Sequence, residues 1–319
     1  MSLLMRVFLK NENISPPTLI ELRIQNLLFP NEFLMSRLLL ILALTFAFVI
    51  QAQQLLSQDK RGEPEKPAPK GNPRPLKVFI LVGQSNMQGH ASVSTFDSLA
   101  DDPKTAPLLK SMLTPDGKPR ACEKVWITSV GCQGNAYDDL KEQTGKLSVG
   151  YGAFGVGGKR IGPEYLFGIT MEVRLKEPVL IIKTSWGGRS LHTDFRSPSA
   201  GPYVLAKETQ ELWDKNPKGA HGIPTAEDRP KFFAEKAAAT GVYYREMLAH
   251  VQMVLKDIKR VVPEYDNKQG YELSGFVWFQ GFNDYVDRGV YPNQQKAGGY
   301  DQYTTLLGQL IRDVRCQVS

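Results

Sequence analysis

The sequence predicts a three-layer α/β/α domain around a parallel β-sheet, on two observations. Short runs rich in valine and isoleucine read as strands buried on both faces, at 78–82, 125–130, 179–184 and 276–279. Helical segments with amphipathic spacing lie between these runs, and strands that alternate with helices favour a parallel sheet covered on both sides. The chain of 319 residues is long enough for one large domain with additional segments.

The first run ends abruptly in a turn that carries a candidate nucleophile. Gly83 permits a sharp turn directly after the five apolar residues 78–82. Ser85 therefore lies at the carboxyl end of a buried strand, where open α/β sheets place their ligands. A serine held on such a turn is a candidate nucleophile, and a serine that only caps the turn is the alternative.

The later strands are also followed by candidate site residues. The third strand leads into Trp186-Gly187-Gly188, where Gly188 offers a backbone N–H to a substrate or forms a plain turn. The fourth leads into Gln280-Gly281-Phe282-Asn283-Asp284. A side-chain amide of Gln280 or Asn283 there either donates to a developing oxyanion or ties neighbouring loops together.

The sequence also indicates where the helices between the strands begin and end. Pro163 and Glu164 open one helix, because proline suits the first turn and a carboxylate favours the positive helix end. Two further helices are predicted across 247–258 and 303–314. The region 192–239 is rich in proline, glycine and charge, and is predicted to form surface loops around the site.

The amino-terminal quarter divides into three predicted segments. Residues 35–52 have a basic start, a short apolar core and a small residue suited to cleavage, which is typical of a signal peptide; a signal anchor is the alternative. Residues 1–34 are then a non-native upstream extension, and 53–75 form a proline-rich linker before a domain at 76–319. The prediction is a secreted or periplasmic protein with no stable membrane span after signal cleavage.

Composition and spacing exclude several function classes. The net charge is only +6 and the domain has no dense basic stripe, which disfavours nucleic-acid binding. The G-x-G-x-x-G match at 150–155 follows no strand, so dinucleotide binding is rejected, and no cluster has zinc spacing, so no cofactor or metal is predicted. Cys122 and Cys132 flank one strand and either pair or stay buried thiols, while Cys316 is left over.

Taken together, the motifs resemble a known family. Gly83-Gln-Ser-Asn-Met87 resembles the first block of the SGNH hydrolases, in the branch of sialate O-acetylesterases and acetylxylan esterases called carbohydrate esterase family 6. Similar segments follow in order from about Leu76 to the end of the chain, at Gly162-Pro-Glu164, Lys183-Thr-Ser-Trp-Gly-Gly188 and Trp278 to Asp284. This branch usually has glutamate where Phe282 stands here.

The resemblance implies a flavodoxin-like sheet and a secreted serine esterase that removes acetyl groups from carbohydrates. It assigns Ser85 as nucleophile and Gly188 with Gln280 or Asn283 as oxyanion donors. Residues beside these loops are candidates for binding sugar hydroxyls, namely Gln84, Asn86 and Arg189. Trp186 and Trp278 either stack on a sugar ring or pack in the core.

One block of the family pattern has no counterpart in this chain. These enzymes take their base from an Asp-x-x-His block after a further strand, and His90, His192, His221 and His250 do not stand in that pattern. We therefore expect a truncated domain without the last strand and helix, and slow or absent hydrolysis, since a positioned base contributes about 10²–10⁴-fold. A non-catalytic carbohydrate-binding protein on the same scaffold is the alternative, and a lipase or peptidase is less favoured.

Overall fold

A computed structural model describes residues 6–9, 74–132, 140–155 and 159–318 of the chain. The predicted signal peptide and most of the predicted linker lie outside the described residues. Among the described helices, none combines the length and the apolar character needed to cross a bilayer. The segment boundaries given above therefore stay predictions.

The described strands form a six-stranded sheet in the order β1-β8-β2-β7-β4-β5. Its strands are β1 (Arg6–Leu9), β2 (Leu76–Gly83), β4 (Val125–Val130), β5 (Gln143–Lys146), β7 (Val179–Ser185) and β8 (Tyr271–Phe279). β3 (Ala91–Ser92) and β6 (Arg160–Ile161) pair separately. The four predicted strands β2, β4, β7 and β8 are mutually parallel, and β1 and β5 join them antiparallel.

The strand order places the motif-bearing strands side by side. β2, β7 and β8 precede the three loops with candidate site residues, and β2 lies between the other two. Numbered in chain order, the four parallel strands lie in the order 4-1-3-2, with the first of them between the fourth and the third. The three loops therefore emerge together at the carboxyl edge of the sheet.

The core lies on both faces of this sheet. In β2, Val78, Ile80 and Val82 face one apolar cluster, whereas Phe79 and Leu81 face the other, as the period of two in a strand requires. Helices α7 (Val242–Lys256) and α9 (Asp301–Val318) cover the first face, and α4 (Pro163–Leu175) covers the second. The three-layer α/β/α prediction is confirmed.

The remaining helices are short or peripheral. They are α1 (Ser85–Gln88), α2 (Phe96–Ala100), α3 (Ala106–Met112), α5 (Lys207–Asp214), α6 (Arg229–Ala239) and α8 (Phe282–Val286). The prediction of loops throughout 192–239 is wrong at α5 and α6. Trp213 of α5 packs edge-on against Phe232 of α6 at 5.0 Å between ring centroids, so the two short helices stabilise each other across their polar surroundings.

The edge strand β1 comes from the segment predicted to be a non-native extension. Its four residues pair antiparallel with β8, with Arg6 opposite Trp278 and Leu9 opposite Gly275. Four residues of that segment thus join the sheet at the edge beyond β8.

Candidate active site

The turn that carries the candidate nucleophile Ser85, which we call the nucleophile turn, is formed as the sequence predicts. β2 ends at Gly83, and Ser85 is the first residue of the one-turn helix α1. A side chain at Gly83 would come within 2.3 Å of the backbone oxygen of Phe279, so only glycine fits between β2 and β8 there. Ser85 is partly exposed and lines a cleft of about 280 Å³ together with Asn86 and His90.

Two backbone amides at this edge are free to bind a negative oxygen. The N–H groups of Ser85 and Gly188 have no acceptor within the described ranges, and Ser85 belongs to a first helical turn, whose N–H groups have no partner in the helix. Gly188 is exposed with φ +75°, and the space around its α-carbon is open. This conformation favours glycine and leaves the amide accessible.

Gln84 connects the nucleophile turn to the loop after β8. Its side chain is 1% exposed, and its Oε1 accepts from the backbone N–H groups of Gly281 and Asn283 at 3.3 and 3.2 Å. Its Nε2 donates to Oδ1 of Asn283 at 2.7 Å. The structure thus gives this sugar-binding candidate an internal role, because its amide is engaged within the protein.

The two candidate amide donors differ in how they are engaged. Nε2 of Gln280 is buried and has three acceptors, namely Oε1 of Gln84, the carbonyl of Arg189 and Oδ2 of Asp284, at 3.1, 3.0 and 2.6 Å. Its two N–H groups are therefore fully used. Asn283 is partly exposed. Of its side-chain atoms, only Oδ1 is engaged within the described residues, which leaves Nδ2 free to donate. The geometry favours Asn283 over Gln280.

Asp284 fixes the loop that follows β7. Its buried carboxylate accepts from the backbone N–H groups of Leu191 and His192 at 2.7 and 3.0 Å, from Gln280, and from the hydroxyl of Tyr291 at 3.2 Å. Burial raises the pKa of Asp284 to about 6, against the effect of these donors. This residue holds the β7 and β8 loops together, and the sequence pattern alone had assigned it no such role.

Below the nucleophile turn lies a buried ion pair. Nζ of Lys183 donates to Oε2 of Glu164 at 2.7 Å, and both side chains have no exposed surface. The same ammonium donates to the carbonyls of Gln88 and Tyr151 at 2.9 and 2.8 Å. Since Gln88 ends the helix that Ser85 begins, this lysine supports the nucleophile turn from beneath.

Arg189 and Asn86, the other two sugar-binding candidates, lie in different surroundings. The guanidinium of Arg189 stacks on the ring of Tyr243 at 4.3 Å and lies 3.5 Å from Asp194, so it is engaged within the loop after β7. Asn86 is exposed in the cleft beside Ser85. Of the three candidates, Asn86 is therefore the one that the structure places on the open surface of the cleft.

None of the four imidazoles bonds the Ser85 hydroxyl within the part of the chain that the structure describes. His90 lines the same cleft, but its Nδ1 lies 3.3 Å from Nη1 of Arg160. His192 is buried beside Thr193, and His250 lies 3.1 Å from the hydroxyl of Thr128. Burial lowers the pKa of His192 to about 3 and that of His250 to about 4, so both are neutral near neutral pH.

Trp186 and Trp278 both lie in the core, at 0% and 1% exposure, and so cannot stack on a sugar. The three cysteines are free thiols: Cys122 and Cys132 are buried and Cys316 is exposed. Among the described residues, no group of three or more histidine, cysteine, aspartate or glutamate side chains is placed to hold a metal ion.

The fold and the motifs together define a class of esterases with a serine at the carboxyl edge of a parallel sheet. Residues 75–319 match the family of carbohydrate esterases described as sialic acid-specific acetylesterases. The chain belongs to this family of carboxylic ester hydrolases, and the resemblance stated from the sequence is confirmed.

Two solved structures are similar to this chain at low identity. One is a protein from Arabidopsis thaliana, at 14% identity and TM-score 0.35, with 76% of this chain and 69% of that protein covered. The other is described as a carbohydrate acetylesterase from Xanthomonas citri, at 13% identity and TM-score 0.31, with 72% and 39% covered. No curated protein matches the sequence.

Proposed function

We propose that this protein hydrolyses acetyl esters of carbohydrates with Ser85 as the nucleophile. The observation that carries the proposal is that the partly exposed Ser85 lies at the same edge of the sheet as three donors that have no partner within the described residues. These donors are the amides of Ser85 and Gly188 and Nδ2 of Asn283. Donors placed before the reaction stabilise the oxyanion that develops as the carbonyl is attacked.

The proposed reaction has two halves. The Ser85 oxygen forms a bond to the acetyl carbon, its proton passes to a base, and the sugar leaves as an alcohol after taking up a proton. Water then attacks the acetyl-serine, which releases acetate and restores the hydroxyl. The small acetyl group fits a shallow site such as the cleft of about 280 Å³.

The general base that takes the Ser85 proton is the part of this mechanism for which the described residues give the least support. Since no described imidazole bonds Ser85, we propose that residues 74–318 by themselves hydrolyse esters slowly. Loss of a positioned base typically lowers the rate by about 10²–10⁴-fold. This observation also supports the second candidate function, in which the protein binds acetylated carbohydrates without hydrolysing them.

The two functions separate in one set of assays. Turnover of 4-nitrophenyl acetate that is lost in Ser85→Ala and increased by added imidazole supports the esterase, because imidazole in solution substitutes for a missing base. Ser85→Ala also serves as the control for direct hydrolysis by imidazole. Turnover identical in the parent and in Ser85→Ala, together with saturable binding of an acetylated sugar, supports the binding protein.

We propose that the protein is secreted or periplasmic, on the signal-peptide pattern at 35–52. Amino-terminal sequencing of the exported protein is expected to begin near Gln53. An intact amino terminus on a protein that stays in the cytoplasm would contradict this proposal.

A further inference from the structure

Three aromatic rings, two of them exposed, lie in helix α8 and just before helix α9. In helix α8, Phe282 is 46% exposed and Tyr285 is 43% exposed. Their ring centroids are 6.4 Å apart, and Tyr285 stacks on the partly buried Tyr300 at 6.5 Å with an interplanar angle of 19°. We call these three rings the aromatic platform. Exposed apolar patches of this kind mark binding surfaces.

The position of the platform relative to the nucleophile follows from the hydrogen bonds of Gln84. The amides of Gly281 and Asn283, which flank Phe282 on both sides, donate to the same Oε1 of Gln84. Gln84 directly precedes Ser85. The backbone of Phe282 is therefore held close to the nucleophile turn, directly before Asn283.

The platform is supported from behind. Tyr300 packs against the buried Tyr291 at 5.6 Å between ring centroids, and its hydroxyl donates to Gln294 at 3.3 Å. Tyr291 in turn donates to the carboxylate of Asp284. A platform fixed in this way loses little conformational entropy when a ligand binds, which favours affinity.

We propose that the aromatic platform binds the apolar face of the pyranose ring whose acetyl ester is attacked at Ser85. The choice of occupant rests on the proposed function, since the substrate must carry a sugar beside the ester. The C–H groups on one face of a pyranose are complementary to the negative face of an aromatic ring. Trp186 and Trp278 are buried, so they do not offer such a face at this edge of the sheet.

The main test measures binding without hydrolysis. In a Ser85→Ala background, an O-acetylated methyl pyranoside is titrated and followed by saturation-transfer NMR. Phe282→Ala is expected to weaken its binding about threefold to tenfold, the effect of one aromatic contact, while Phe282→Trp retains it. Tyr271→Ala is the matched control. Tyr271 is 42% exposed and begins strand β8, whereas Phe282 follows the other end of that strand.

A second measurement separates this proposal from the proposed function. With Ser85 present, Phe282→Ala is expected to raise KM for the acetylated pyranoside more than KM for ethyl acetate, which has no ring. Weaker sugar binding by Phe282→Ala supports the platform even when no ester is hydrolysed. Unchanged sugar binding by Phe282→Ala would overturn it, and so would a parent that self-associates and becomes monomeric on this substitution, because the rings would then contact protein.

Discussion

Replacing Lys183 by methionine tests the support beneath the nucleophile turn. The substitution keeps an unbranched side chain that is one atom shorter, and it removes a charge that has no exposure. Glu164 is then a buried carboxylate whose remaining partner among the described residues is the backbone N–H of Gly162, at 2.8 Å. The carbonyls of Gln88 and Tyr151 each lose a donor as well.

The expected loss of stability follows from these contacts. Breaking a buried ion pair from one side costs about 3–5 kcal/mol, because the other charge stays buried without its partner. The double substitution Lys183→Met with Glu164→Leu removes both charges, and it is expected to recover part of that loss. The remainder reflects the two carbonyls, since an unsatisfied buried group costs about 1–3 kcal/mol.

Urea unfolding followed by circular dichroism gives the free energies for the parent and the two variants. Ester turnover is measured in parallel, and we expect Lys183→Met to lower it, because Gln88 ends the helix that positions Ser85. A loss of less than about 1 kcal/mol in the single variant would refute this reasoning. A double variant less stable than Lys183→Met alone would refute it as well.

Three further predictions follow from the site and the core. Asn283→Asp keeps the oxygen that accepts from Gln84 but removes the free N–H, so kcat for acetyl ester hydrolysis is expected to fall about 10²–10³-fold in steady-state assays. The free energy of unfolding is expected to fall as the pH drops from about 6.5 towards 4. Burial lowers the pKa of His250 to about 4, so in this pH range the unfolded chain binds the proton more tightly than the folded protein does. Urea titrations of His250→Gln should show a smaller fall. In the native protein a thiol reagent is expected to modify exposed Cys316 before buried Cys122 and Cys132, as peptide mapping would show, and burial raises the pKa of Cys122 to about 12.

The central strands could be predicted because burial on both faces of the sheet requires mostly apolar side chains. β4 and β7 are buried on both faces, so each begins with a run of apolar residues, Val-Trp-Ile in β4 and Val-Leu-Ile-Ile in β7. β8 begins at Tyr271, five residues before the predicted run. The prediction missed its first part because residues 271–276 are exposed or half-buried and contain polar residues. The edge strand β5 consists of Gln143-Thr-Gly-Lys146 and gives no apolar signal, because only backbone pairing with β4 defines it.

The site was predictable to the extent that it depends on local sequence. The sharp turn at Gly83 and the helix start at Ser85 follow from residues within a few positions. The internal roles of Gln84 and Gln280 do not, because their partners lie on strands almost 200 residues apart in sequence. Side-chain amides at such positions have the same sequence signature whether they bind a sugar or tie two loops together.

The single oxygen Oε1 of Gln84 has a consequence for thermal motion. It accepts from two backbone amides of the β8 loop, while its own backbone belongs to the nucleophile turn. When β2 and β8 shift against each other, these bonds require the two loops to move together. Relative motion of the strands therefore changes the distance between the Ser85 oxygen and the Asn283 amide only slightly. Changes to the outer rim at Phe282 can then alter which sugar is accepted without changing the spacing of the reacting groups.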